Sequence, residues 1–245
     1  MITKLKLFNR IKLRLRANKY KNKNDRGGIS YVLTQIKSGD MVFDIGCHKA
    51  GYLYHMLKKT GKSGEIHAFE PQFNLFKDLI ELKNSLKWTN VYISNLALSN
   101  ISEKVMLHIP IKGSKTDSPG ASLLNVFDEN QLILNQEIET DTLDKYCDRL
   151  NLKPTFLKID VEGNELEVLK GGINTLKKNK PKILIESEER HVGQEKVREV
   201  FSYLENLGYQ GKFIKDKEYL PLKEFNFNQH QTLGLKPYCN NFIFE

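Results

Sequence analysis

Residues 42–70 read VFDIGCHKAGYLYHMLKKTGKSGEIHAFE, and this stretch decides the fold. An apolar run through Val42 and Phe43 ends in Asp44. A turn containing Gly46 and Gly51 follows, then a helical segment, then a second apolar run, Ile66 to Phe69, that stops at Glu70. The order is strand, glycine turn, helix, strand, with a carboxylate at the tip of each strand. In a parallel sheet the carboxyl ends of neighbouring strands open onto one crevice, where nucleotide-like ligands bind. Glycine lets the backbone come close to such a ligand. A carboxylate after the second strand can accept both hydroxyls of a ribose.

The turn is not a dinucleotide fingerprint, because His48 stands at the second glycine of G-x-G-x-x-G. It is not a triphosphate loop either: Gly46 and Gly51 have the right separation, but Tyr52 and Leu53 replace the Lys and the hydroxyl residue. What is left is a D-x-G turn with a distal acid. It suits an adenosine ligand that carries no phosphate and has a positive or zwitterionic charge, and S-adenosylmethionine (SAM) is the expected cofactor. The plainer alternative is an ordinary strand-to-helix turn of an α/β protein, and the position of Glu70 weighs against it. The cradle expected from the turn comprises Asp44, Gly46, Cys47, His48, Gly51 and Glu70. Cys47 fits there through its small size rather than as a catalytic thiol.

A chain of 245 residues with 40% hydrophobic content suits one α/β domain with a real core. No run of about 18 apolar residues exists, so no span of a bilayer is expected. The opening MITKLKLFNRIKLRLR is too basic and interrupted for a secretory signal, and a cytoplasmic protein is expected. Cys47, Cys147 and Cys239 form no C-x-x-C, so neither a zinc site nor a disulfide framework is indicated. Charge is unevenly placed. Residues 1–26 hold ten Lys and Arg against Asp25, a local net of +9; the whole chain carries +8, so residues 27–245 sum to −1. The chain therefore divides into a basic arm, 1–26, and a domain, 27–245. Leu5, Phe8, Ile11 and Leu15 share a helical face, whereas residues 10–16 alternate as a strand would. The arm reads either as a solvated, partly disordered tail or as a segment that sits on anionic lipid at the inner face of the membrane. Nucleic acid is not an expected partner, since the domain has no basic excess and no aromatic-rich RNA-binding motif.

Strands are expected at 41–45, 66–69, 91–97, 104–110, 155–161, 182–186, 211–214 and 241–244. Helices are expected at 29–36, 52–59, after Pro71, at 141–150, through Leu166, Leu169, Ile173 and Leu176, and from Val197 to Leu207. Asn164 and Glu167 read as a capping-box pair. Residues 112–136 read as an irregular substrate loop that includes Ser122. The alternation predicts a doubly wound, mostly parallel sheet with helices on both faces. FLKIDVEGNE and ILIESEERH run apolar strands into polar tips, which gathers Asp160, Glu162, Glu186 and His191 at the same edge as Gly46 and Glu70. A hydroxyl acceptor must lose its proton during methyl transfer, and a carboxylate or His in reach can take it. Each has a bland reading: Asp160 as a helix cap, Glu162 as a first-turn acid, and His191 as a solvated surface residue. The three carboxylates could together hold a divalent cation, but nothing in their spacing demands one and no metal is expected.

VFDIGCHKAGY, HAFEP, SNLALS, TLDKY and above all FLKIDVEGNELEVLKGG resemble the FkbM-type SAM-dependent methyltransferases over about residues 40–210. The resemblance implies a Rossmann-like class I methyltransferase fold, with a seven-stranded sheet whose last strand is antiparallel. It also implies O-methylation of a hydroxyl, on a sugar, glycan or glycolipid. Asp44, Gly46 and His48 would line the methionine side of SAM, Glu70 the ribose, and Asn95 and Ala97 the region of the adenine. Asp160, Glu162 and Glu186 would face the acceptor. Members often carry A-N-x-G where this chain has Cys47, His48, Lys49 and Ala50. Two other readings compete: an NAD-dependent oxidoreductase, and a non-catalytic scaffold that docks through the basic arm.

Overall fold

The computed structural model describes residues 2–111, 118–124, 127 and 131–245. The strands in chain order are β1 (Met41–Ile45), β2 (Glu65–Phe69), β3 (Val91–Ser94), β4 (Ala97–Leu98), β5 (Lys104–Pro110), β6 (Ile133–Asp141), β7 (Phe156–Ile159), β8 (Lys182–Glu186), β9 (Gly211–Lys215), β10 (Glu218–Pro221) and β11 (Asn241–Phe244). The helices are α1 (Ile2–Lys19), α2 (Arg26–Gln35), α3 (Leu53–Thr60), α4 (Phe73–Leu86), α5 (Leu143–Leu150), α6 (Glu165–Lys170), α7 (Ile173–Asn179), α8 (Glu189–Asn206) and α9 (Phe227–His230).

The main sheet runs β10-β9-β11-β8-β7-β1-β2-β3. Its centre is parallel, while β11 is antiparallel to both β8 and β9. The seven strands implied by the resemblance are all present, and the β9–β10 hairpin adds an eighth at the edge. The chain winds outward from β1 to β3 and later returns to place β7 on the other side of β1, which makes β1/β7 the switch point of the sheet.

Alternation along the strands divides the core into two layers. Phe43, Ile45, Leu157, Ile159, Ile183, Ile185, Phe242 and Phe244 pack with α5, α6, α7 and α8. Val42, Ile66, Ala68, Phe156, Leu184 and Ile243 pack with α2, α3 and α4. Burial on both faces explains why these strands read as unbroken apolar runs.

Four expectations need correction. Residues 91–97 do not form one strand: the chain leaves the main sheet after Ser94, and Ala97–Leu98 pairs with β6 in a second sheet ordered β4-β6-β5. Asn95 makes the break, its amide donating to the carbonyls of Glu70 (2.9 Å) and Pro71 (2.9 Å). The last four residues of the expected substrate loop, 133–136, begin strand β6, hidden in sequence because only one of its faces is covered. Of the rest of that loop, residues 112–117, 125–126 and 128–130 lie outside the described residues. The helix expected through 166–176 breaks in two, because Gly171 packs against the Ser99 carbonyl and Gly172 against Leu143 with no room for a Cβ. Glu167 closes no capping box; it pairs with Lys170 at 2.8 Å, while Glu165 accepts from the Gly163 amide at 2.9 Å.

The arm is a helix, and its packed face is not the one that periodicity picks out. Leu13 and Ala17 are buried against the domain, whereas Phe8, Ile11 and Leu15 are exposed. No helix among the described residues is long and apolar enough to cross a membrane.

Phe242 is fully buried at the centre of the aromatic cluster, 4.5 Å from the Phe201 ring and 5.0 Å from that of Phe225. Phe242→Ala should cost about 3–5 kcal/mol in urea unfolding. A loss under about 1 kcal/mol would show that this core layer is not packed as described.

Candidate active site

A cleft of ≈ 860 Å³ opens at the switch point, and its floor is built from the tips of β1, β2 and β7. In register, Asp44 lies beside Ala68 of β2 on one side and Lys158 of β7 on the other. Glu70 follows β2 directly and lines the same cleft as Asp44. Both carboxylates are buried, at 0% and 2% exposure, and neither oxygen of Asp44 has a hydrogen-bond partner among the described residues. A buried carboxylate without a partner at the bottom of a cleft is the mark of a group that waits for a ligand.

Lys158 explains how these acids are tolerated. It is buried in an otherwise apolar strand, and its ammonium donates to Asp160 Oδ2 at 2.7 Å. Burial pushes its pKa down, but the charges of Asp160, Asp44 and Glu186 outweigh that and hold it well above the usual lysine range. Burial raises Asp44 to about 6 against the pull of Lys158, with Asp160 adding to the rise. Burial likewise raises Glu70 to about 7, although the backbone amides of Gln72 and His48 donate to it. Both groups gain affinity for a proton because the site is dry.

The glycine turn joins the two tips. The amides of Gly46 and Cys47 both donate to the Phe69 carbonyl, at 3.1 and 3.0 Å. Gly46 has φ +80°, and a Cβ there would run into the Asp160 carbonyl, so only glycine fits. His48 and Ala50 also take left-handed φ values, +46° and +63°. Burial, aided by the charge of Lys49, lowers the His48 pKa to about 4, and its Nε2 has no partner among the described residues. The Cys47 thiol lies in the wall with its pKa pushed up by burial, which keeps it protonated and unsuited to nucleophilic attack. Gly51 makes room for the ring of Tyr20.

The basic arm enters the site through that ring. Tyr20, just beyond α1, lines the cleft and meets the Tyr52 ring edge-on at 6.1 Å. The Tyr52 hydroxyl donates to Asp25, which also caps α2 by accepting from the Gly28 amide at 2.8 Å. Arg16 donates to the Lys49 carbonyl at 2.5 Å and so ties α1 to the glycine turn.

The opposite wall is apolar, with Leu96, Ala97 and Leu98 beside Leu107 of β5 and Ala121 and Leu123 of the loop that follows it. Ala97 thus lies in the cleft. Asn95 does not line it and acts one step back, through the loop that carries Glu70. Asp160 and Glu162 line the cleft, with Asp160 held by Lys158. Glu162 has φ +52°, and its Oε2 lies 3.0 Å from His191 Nδ1. Burial raises the Glu162 pKa despite that bond. For His191, burial lowers the pKa, but the bond and charge of Glu162 raise it further. Glu186 is not in the cleft lining; it accepts from Asn240 at 2.6 Å, and burial together with Asp160 and Glu188 raises its pKa. Among the described residues no cluster of three or more His, Cys, Asp or Glu is placed to hold a metal ion.

Three site residues are absent from the sequence reading. Lys158 had a legible signal, a lone cation in the apolar run FLKI. Gln72 is buried and exchanges two hydrogen bonds with the Ser118 backbone, at 2.9 and 3.1 Å, which ties the exit of β2 to the second sheet's loop. Tyr20 had no signal, because only the path of the arm brings it there.

A family model described as "Methyltransferase FkbM domain" matches residues 44–210. The chain belongs to this family. Among solved structures, a methyltransferase FkbM from Methylobacillus flagellatus KT superposes with a TM-score of 0.55 at 18% identity, covering 85% of this chain and 44% of that one. The present chain therefore spans less than half of that relative. A putative rRNA methylase from Clostridium thermocellum superposes with a TM-score of 0.50 at 11% identity, over 89% and 92% of the two chains. A chain of a fibrillarin/Nop5p complex gives 0.50 at 15% identity, over 90% and 80%. These likenesses establish a shared fold. No curated protein matches the chain.

The methyl donor of a SAM-type methyltransferase domain is SAM, and the cleft fits it. Glu70 would take the ribose hydroxyls, the unpartnered Asp44 oxygens the positively charged end, and Leu96 to Leu98 the flat apolar ring.

Replacing Lys158 by Met should destabilise the protein by about 3–5 kcal/mol at pH 8, because it leaves buried carboxylates uncompensated. The loss should shrink at pH 5, where Asp44, already at about 6, would be protonated and need no counter-charge. Denaturation at the two pH values checks this, and an equal loss at both would remove Lys158 from its compensating role.

Proposed function

We propose that this FkbM-family protein transfers the methyl group of SAM to a hydroxyl oxygen of a sugar, glycan or glycolipid. The observation that carries the reading is the pair of buried carboxylates, Asp44 and Glu70, on adjacent parallel strand tips in one cleft, with the oxygens of Asp44 unpartnered among the described residues. When bound, SAM supplies a methyl carbon on a sulfonium, open to in-line displacement by the acceptor oxygen. Alignment of acceptor and donor is a large part of such catalysis, and the cleft walls provide it.

The residues divide the remaining work. Asp44 and Glu70 orient the donor. Asp160, held by Lys158 at 2.7 Å, serves as a fixed hydrogen-bond acceptor for a hydroxyl. Glu162 lines the cleft and has a raised pKa, which suits a general base. His191 at 3.0 Å holds the Glu162 carboxylate in place. The sugar-bearing acceptor is supported by the family resemblance and by the carboxylates beside the apolar wall. Family membership sets this reading above the oxidoreductase alternative.

Isothermal titration with SAM should show saturable binding that Glu70→Ala weakens at least about tenfold, as loss of hydrogen bonds to a charged group implies. The raised pKa of Glu70, about 7, sets the pH dependence. A ligand that needs the ionised form must expel its proton, so affinity should rise from pH 6 to 8 and binding at pH 6.5 should release protons. Glu162→Gln should lower kcat at least about 100-fold in transfer of labelled methyl to a panel of saccharides and glycolipids, with SAM affinity kept. SAM affinity unchanged by Glu70→Ala would overturn the cradle; full turnover by Glu162→Gln would overturn the base.

A further inference from the structure

Helix α1 carries apolar side chains on two opposite faces. Asn9, Leu13, Arg16 and Ala17 face the domain, at the spacing of one helical stripe. Phe8, Ile11 and Leu15 form a second stripe on the far side and stand 62%, 48% and 65% exposed. Lys12 and Lys19 flank that stripe on one edge and Arg14 on the other, all exposed. Three large apolar side chains in a row on the surface of a helix are a binding face rather than scattered exposure.

The surface continues from the Arg14 edge into an open groove between α1, α3 and the end of α4. Arg10, Arg14, Lys58 and Lys87 line it together with Leu57, Leu86 and Trp88, and no carboxylate among the described residues lines it. The groove on the other flank of α1 differs, for there Asp78 and Glu81 stand beside Lys12. The uncompensated charge is therefore on one flank, next to the exposed apolar stripe.

We propose that this face is a docking surface for an anionic lipid bilayer. Phe8, Ile11 and Leu15 enter the headgroup boundary, and Arg10, Arg14, Lys58 and Lys87 take lipid phosphates in the groove beside them. The two components fit this partner together. An apolar stripe gains from burial among acyl chains, and basic side chains at its edge gain from anionic headgroups. Half-buried Trp88 has the amphipathic ring that favours a membrane interface. A nucleic acid would use the cations but leave the apolar stripe in water. Since Arg16 and Tyr20 link α1 to the glycine turn and the cleft, docking would hold the site next to the bilayer. Binding to lipid through this face is independent of methyl transfer in the cleft, and it is measured without turnover.

The test is co-sedimentation of the full chain with vesicles of phosphatidylglycerol mixed with phosphatidylcholine, against vesicles of phosphatidylcholine alone. Binding should require the anionic lipid and weaken as salt rises. The variants Phe8→Ser/Leu15→Ser and Arg10→Gln/Arg14→Gln change exposed side chains, so folding should survive, as circular dichroism would show. Each pair should weaken vesicle binding at least about tenfold. Equal binding to both vesicle types, or unchanged binding of both variants, would overturn the proposal. So would tighter binding to an RNA fragment than to anionic vesicles, with the loss confined to the arginine variant.

Discussion

Lys158 sits in a strand whose other three residues are apolar, and the ends of β1, β7 and β8 depend on it. Its ammonium touches Asp160, lies in register beside Asp44, and feels the charge of Glu186. Bringing these acids to one sheet edge without a cation would leave several buried negative charges in a dry cleft, a cost of several kcal/mol for each. With the cation in place, Asp160 is fixed, while Asp44 stays ionisable and, among the described residues, without a hydrogen bond. The site therefore keeps one carboxylate in reserve for a positively charged ligand. The same arrangement gives the other acids different partners. Asp160 is held by the lysine, Glu186 by Asn240, and Glu162 by His191 at the open wall.

Around that charge cluster the backbone is shaped to let strand tips touch. Gly46 leaves room for the Asp160 carbonyl, and the Phe69 carbonyl receives two amides from the turn. Asn95 and Gln72 then hold the exit of β2, so that Glu70 cannot swing away. None of these restraints touches a reacting atom. Each fixes the place of a carboxylate that would, and positions of that kind govern how well a cleft aligns two substrates.

The central strands of the main sheet were legible because burial on both faces leaves an unbroken apolar run, as in MVFDI and KILIE, whereas the half-exposed edge strand β10 was missed. The one-sided strand β6 was not legible, since about half of its residues face water and its first four fall in a stretch that reads as irregular. The break after Ser94 and the split at Gly171 depend on contacts with distant elements, Glu70 and Ser99, that no local pattern announces. The arm was ambiguous for a physical reason: apolar residues on two opposite faces cancel the periodicity that a single buried stripe would show.

Local chemistry thus determined which residues could be strand tips, that acids would end them, and that a glycine turn would lie between the first two. Those properties follow from short-range sterics and from the need to bury apolar side chains. Only the tertiary structure decided which acid is free and which is neutralised, because that depends on distances between strands far apart in sequence. It also decided that Tyr20 of the arm belongs to the cleft, and that Phe8, Ile11 and Leu15 are left on the surface. A helix can bury only the face that its neighbours cover, and the sequence of the helix does not say where those neighbours are.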